Sequence, residues 1–185
     1  MTRFNTFMHL FKLESLHNCC TEHGHMVTYP KGTALVEEGN ICRYIGIIQS
    51  GYFKYVAINT RGEECVTGFT FAGEIASDFI QSFLFNKPAK TTVIAGCDTQ
   101  VLQISIPEAK LYFAKHDPDF VKRSCRVLLE EAYRRYLDSY LKTPAERYTE
   151  LRNRTQMDLD LIPHKELASY LNISRRQFQR IRDNF

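Results

Sequence analysis

No run of apolar residues in this 185-residue chain approaches the roughly 18 needed to cross a membrane. The opening stretch also lacks an unbroken apolar core. Arg3, Asn5, His9 and Lys12 interrupt the Phe and Leu residues between Met1 and Leu13, so no secretion signal is read. The six cysteines, at 19, 20, 42, 65, 97 and 125, contain no C-x-x-C pair. Scattered cysteines in a chain long enough to bury a core argue against a disulfide-stapled scaffold and for a cytoplasmic setting. Internal repeats and low-complexity tracts are absent. Neither charge sign dominates, with 24 Lys and Arg against 21 Asp and Glu. Charged residues at 24% and apolar ones at 44% are the proportions of a folded protein.

One cluster has the makings of a metal site: Cys19, Cys20, His23 and His25. Adjacent cysteines suit a tetrahedral ion poorly, since zinc spacings separate them by about two to four residues. A polar helix end and turn is the better reading. His23-Gly24-His25 also imitates the H-x-H of metal-dependent enzymes built on small β-rolls. Such a site needs a carboxylate soon after, where Tyr29 and Pro30 stand, and a third His on a later strand. No His occurs between 25 and 116. No catalytic residue, metal or cofactor is therefore assigned.

What is present is a division of charge and of texture. Residues 1–141 hold 15 basic and 15 acidic groups, whereas residues 142–185 hold nine and six, so the whole excess of +3 lies at the C-terminal end. That placement suggests a polyanion contacted there. Phe4 to Leu16 spaces its apolar residues as a short amphipathic helix. Val27–Tyr29, Ala34–Val36, Ile45–Ile48, Tyr52–Ile58, Cys65–Phe71, Thr91–Ala95 and Val101–Ile106 read as short strands, separated by turns such as Pro30-Lys31-Gly32 and Ser50-Gly51. Asp78 to Phe85 reads as a helical insertion. After Pro107–Lys115, Asp117-Pro118 offers a cap and first residue for a helix running to about Leu141. Val121, Cys125, Leu128 and Ala132 form one stripe along it, with Leu129, Tyr133, Tyr136, Leu137 and Tyr140 beside it. Two stripes imply two neighbours, the helix's own roll and a second copy of the chain.

Thr143-Pro144-Ala145-Glu146 then opens a new helix as a capping box. Beyond it, Leu167-Ala168-Ser169-Tyr170-Leu171-Asn172-Ile173-Ser174 predicts a helix from Pro163 to Tyr170, a left-handed turn at Asn172 and a second helix capped by Ser174, with Gln177 closing its capping box. Phe178, Ile181 and Phe185 face inward. Arg176, Gln179, Arg180 and Asp183 then point outward, with Arg175 and Arg182 on one flank. This is a helix-turn-helix, whose second helix presents Arg for guanine and Gln for adenine.

In these residues the chain resembles the Crp/Fnr family of bacterial transcription regulators, related to the cyclic-AMP receptor protein. The resemblance runs through Lys31-Gly32, Glu38-Gly39, Ser50-Gly51-Tyr52, Gly62-Glu63, Phe71-Ala72-Gly73-Glu74-Ile75, Glu146-Arg147 and Ala168 … Arg180-Ile181. It implies an α+β chain: a β-roll effector domain with its N-terminal helix (1–115), which is a jelly roll of the cyclic-nucleotide-binding type, a dimerisation helix (116–142) and a helix-turn-helix domain (143–185). It implies double-stranded DNA as partner through Arg175, Arg176, Gln177, Gln179, Arg180 and Arg182, a homodimer through Val121, Cys125, Leu128 and Ala132, and RNA polymerase as a candidate further partner. No membrane partner is expected. Gly73, Glu74, Lys90 and Thr91 are the candidate ligand residues.

The departures bear on the effector. Cyclic-AMP-binding members clamp the phosphate with an Arg-Ser pair, and the matching stretch here is Lys87-Pro88-Ala89-Lys90-Thr91-Thr92. Lys is a point charge and replaces a guanidinium fork poorly. The adenine-reading positions fall at Arg135 and Tyr136, which would crowd a purine. Cyclic AMP is therefore not expected to bind. The cysteine spacing also differs from that of iron–sulfur members. Arg176 stands where the cyclic-AMP receptor has Glu, so the DNA target should differ. No β-wing is expected after the second helix. The competing reading is a ligand-sensing module that acts through protein partners.

Overall fold

The computed structural model describes residues 4–154 and 159–183. Alternation of apolar and polar residues builds eight strands: β1 (His25–Tyr29), β2 (Ala34–Val36), β3 (Tyr44–Ser50), β4 (Tyr52–Ile58), β5 (Glu64–Phe71), β6 (Ile75–Ala76), β7 (Thr92–Ala95) and β8 (Thr99–Ser105). They pair antiparallel in two four-stranded sheets, ordered β1-β8-β3-β6 and β2-β7-β4-β5. The two sheets face each other and enclose Ile45, Ile48, Phe53, Val93, Val101 and Ile104. β3 buries four successive residues, Ile45 to Ile48, where a half-exposed strand would alternate. Helix α1 (Glu14–His23) covers its outer face through Leu16, Cys19 and Cys20. Gly51, at φ 82°, makes the turn from β3 to β4, and a side chain there would meet Thr99 Oγ1 at 2.5 Å.

The N-terminal segment departs from the single helix expected over 4–16. Residues Thr6–Phe11 form a 3-10 turn, Lys12 reverses the chain at φ 52°, and α1 starts only at Glu14. The break lets Phe4 and Phe11 enter two different cores while α1 lies on the roll. The insertion expected at 78–85 is a π-helical turn, Phe79–Leu84, capped by the Asp78 carboxylate through Ser82 N at 3.0 Å.

Helix α2 (Ile106–His116) is capped by Ser105 and carries Pro107 in its first turn. Helix α3 runs from Phe120 to Leu141, two residues later than the Pro118 start that the sequence suggests. The reason is that Asp117 does not cap: its carboxylate pairs with Arg123 at 2.6 Å, and Arg123 Nε donates to Phe11 O at 2.9 Å. The pairing of α3 with the roll also differs from the expectation. Its buried line is Phe120, Ser124 and Val127, a third face that neither apolar stripe contains, with Leu128 at the edge. Phe120 stacks on Phe113 of α2 at 4.0 Å.

After α3 come α4 (Pro144–Arg154), α5 (His164–Tyr170) and α6 (Arg175–Arg182). The capping box at Thr143 forms as expected, Glu146 N donating to Thr143 Oγ1 and Thr143 N to Glu146 Oε2. These helices share a second core with β5, built on Val66, Phe69, Phe71, Leu151, Leu167 and Phe178. Phe185, expected on the inward stripe, lies outside the described residues.

Packing is tight where the two cores meet. A Cβ at Gly96 would lie 2.1 Å from the ring of Tyr52, which is buried and stacked on Phe71. Overpacking of this kind costs about 1–3 kcal/mol. Gly96→Ala should lower stability by that amount in urea unfolding followed by circular dichroism.

Candidate nucleic-acid interface and effector cleft

The turn between α5 and α6 follows from three local features. Asn172 takes φ 55°, a left-handed conformation that Asn tolerates well. Ile173 N donates to Ala168 O at 3.0 Å and Asn172 N to Ser169 O at 2.9 Å, which closes the end of α5. Ser174 is extended and accepts from Gln177 N at 3.1 Å, which opens α6. Phe178 is only 1% exposed, held against Tyr148 and His164 at ring separations of 5.3 and 5.7 Å.

Burying Phe178 turns the opposite face outward. Arg175, Arg176, Gln177, Gln179 and Arg180 are exposed. Among the described residues, Arg175, Arg176 and Arg180 meet no carboxylate. Gln179 donates to Asp183 Oδ1 at 2.9 Å. Arg182 is set apart from the rest: half-buried, it places Nη1 3.0 Å from Nδ1 of His164 and Nη2 3.7 Å from Asp183.

Helix α5 docks on β5 of its own roll. Val66 N donates to Ser169 Oγ at 2.8 Å, and Lys54 of β4 pairs with Glu166 at 2.5 Å. Phe4 is fully buried between the two, 5.7 and 5.0 Å from Phe69 and Phe71 and 5.7 Å from Tyr170. Arg147 of α4 donates to Leu171 O at 3.1 Å and to Lys142 O at 3.0 Å. Arg134 bridges Glu131, Asp138 and Glu150, which locks the joint between α3 and α4.

The four candidate ligand residues occupy three places. Gly73 lines a cleft of about 520 Å³ with His9, His17 and Gln49. Glu74 is fully buried, its carboxylate accepting from Asn5 N and Asn5 Nδ2, each at 2.7 Å, and from Phe71 N at 3.0 Å. Burial raises its pKa against the pull of those N–H donors. Lys90 and Thr91 line a different cleft of about 320 Å³, between the 3-10 turn, β5, α3 and α5. Sequence reasoning missed Asn5, Phe7 and Tyr170 as neighbours of these groups. The apolar spacing of residues 4–11 was visible, but nothing local marked what those residues would touch.

Cys19 and Cys20 are buried in α1, and burial pushes their thiols up to about 11 and 12. Such groups stay protonated and fill the core. Among the described residues, no three His, Cys, Asp or Glu side chains converge as a metal site, and no helix is long and apolar enough to cross a membrane.

Residues 26–115 match the cyclic nucleotide-binding domain family. No curated protein matches the chain in sequence. Among solved structures, FixK2 from Bradyrhizobium japonicum is similar at TM-score 0.70 and 14% identity, over 87% of this chain and 83% of that one. The c-di-GMP-responsive global regulator CLP of Xanthomonas campestris is similar at TM-score 0.63 and 16% identity, over 91% and 89%. The catabolite activator protein of Thermus thermophilus is similar at TM-score 0.57 and 18% identity, over 92% and 82%. At such identities the likeness is one of fold. Residues 26–115 thus resemble a cyclic nucleotide-binding domain, in a chain whose fold is like that of FixK2, CLP and the catabolite activator protein.

Proposed function

We propose that this chain is a cytoplasmic, homodimeric, sequence-specific DNA-binding transcription regulator whose roll senses an effector other than cyclic AMP. The observation that carries the reading is the outward face of α6. Three arginines with no acidic partner among the described residues stand on a helix whose start is capped by Ser174 and whose opposite face is anchored by Phe178. In a helix-turn-helix such a face enters the major groove, with its N-terminal residues at base edges. Arg175, Arg176 and Arg180 supply the recognition, with Gln177 and Gln179 in support, and the Arg182 flank faces the phosphate backbone.

Dimerisation rests on α3. Leu129 is 71% exposed, Tyr133 62%, Tyr136 58% and Tyr140 73%, beside the exposed Val121 and Ala132 and the half-buried Cys125 and Leu128. An apolar band of that length on one helix is ordinarily covered, and a second α3 covers it symmetrically. Two α6 helices would then meet successive major grooves about 34 Å apart on a pseudo-palindromic site.

Four measurements test the reading. Val121→Glu and Leu129→Glu should each shift the chain toward monomer in sedimentation, and a wild-type monomer at micromolar concentration would refute the dimer. Arg180→Ala should cost about 1–3 kcal/mol of specific binding and relax preference at one base pair per half-site in a binding-site selection. Arg182→Ala should weaken all sequences alike and flatten the salt dependence. An Arg180 variant that keeps the wild-type preference would place that side chain on the backbone instead. Cyclic AMP should show no micromolar binding by calorimetry, because Lys90 offers a single point charge and Asn5 already holds the Glu74 carboxylate.

A further inference from the structure

The cleft lined by Lys90 and Thr91 has an unusual balance of groups. Its body is apolar, with Phe7 and Phe11 of the 3-10 turn, Phe79 of the π-helical turn and Leu128 of α3. Its polar members are mostly bonded within the fold. Asn5 is held by Glu74 and Phe69 O, Thr70 donates to Ile75 O, Tyr55 donates to Ser77 O, and Asp78 caps the π-helical turn. Two cations remain. Lys90 is exposed and, among the described residues, makes no ion pair; Arg135 lies 4.8 Å over the Tyr170 ring and donates to Thr67 O at 3.3 Å, again with no carboxylate partner.

We propose that this cleft binds an amphipathic organic monoanion, its hydrocarbon or aryl body among Phe7, Phe11, Phe79 and Leu128 and its carboxylate between Lys90 and Arg135. A cavity of about 320 Å³ stands at the small end of ligand pockets. A cyclic nucleotide asks for several polar partners along its ribose and base, and Asn5, Thr70, Tyr55 and Asp78 of this cleft are already engaged within the fold. A lipophilic body asks for none. The remaining requirement is one negative charge to meet two cations that nothing else neutralises.

The proposal deepens the effector reading above and rests on it for its consequence. Tyr170 belongs to α5 and Arg135 to α3, so one of the two cations that the anion's head group meets, and the ring beneath it, belong to the helices that place α6. Drawing Arg135 toward a carboxylate takes its guanidinium from Tyr170 and Thr67 O. Occupancy would thereby loosen or re-seat α5 on β5.

The test uses the full chain and 1-anilinonaphthalene-8-sulfonate as a fluorescent aryl anion, displaced by decanoate, by decanol and by cyclic AMP. Decanoate should displace the probe, with decanol about tenfold weaker for want of the charge-assisted bonds, a difference of about 1.4 kcal/mol. Lys90→Ala and Arg135→Ala, both on exposed side chains, should bring decanoate close to decanol and leave decanol unchanged, while Lys90→Arg restores decanoate. Circular dichroism confirms that each variant is folded. Equal displacement by decanol and decanoate, no displacement by either, indifference to both alanine variants, or displacement by cyclic AMP at equal concentration would each overturn the proposal. Displacement is read without DNA, so failure of the chain to bind any DNA sequence would count against the regulator reading alone.

Discussion

Phe4 lies fully buried at the centre of the contact between the β-roll and α5, inside the core that the roll and the C-terminal helices share. Its ring is surrounded by Phe69 and Phe71 of β5 and by Tyr170 of α5. Beside it, Asn5 is fixed by both oxygens of the buried Glu74. The orientation of α6 follows from this, since α6 is joined to α5 by a four-residue turn with a fixed left-handed residue. Aromatic packing supplies the energy of the contact, and the Lys54–Glu166 pair and the Ser169 hydroxyl supply its register. Of the Glu166 carboxylate, one oxygen takes the ammonium and the other is buried without a described partner. A half-shielded ion pair of this kind contributes more to where α5 sits than to how tightly it is held.

The basic excess of the last 44 residues is not all available to a partner. Arg147 is spent on the carbonyls of Lys142 and Leu171, and Lys142 is drawn to Asp138 and Glu150. Those contacts brace the α3–α4 joint and hold the end of α5. Arg175, Arg176 and Arg180, on the outer face of α6, meet no carboxylate among the described residues. Net charge told where to look, and the ion-pair geometry tells which side chains an external anion can reach.

Seven of the eight strands were legible as β-rich runs set off by turn residues, as at Gly51 between β3 and β4, whereas β6 is only two residues long and carries no such pattern. The α5–α6 turn was legible because Asn172 and Ser174 each satisfy a local requirement. The line of α3 that meets the roll was not. Ser124 sits in its middle, buried with its hydroxyl unpartnered among the described residues, and a polar residue hides an apolar stripe. The break at Lys12 escaped notice too, because Lys is an uncommon left-handed residue and its φ is imposed by what Phe4 and Phe11 must each reach. The candidate ligand residues follow from the family resemblance, which carries no distances, and it could not show that Glu74 is held by Asn5, 69 residues away in the chain.

The same contact sets an order of events during synthesis. Phe4 and Asn5 leave the ribosome long before Tyr170, against which Phe4 closes, because 166 positions separate Phe4 from Tyr170 in the sequence. The roll can assemble once β8 has emerged, with Asn5 already able to find Glu74. The second core cannot close until α5 is complete, so Phe4 must wait on an open apolar face of β5 until then. A contact between residues so distant in the sequence has high contact order and forms late. The helices that place α6 are therefore fixed on the roll late in folding, and they are the first elements that loss of the Phe4 ring would set loose.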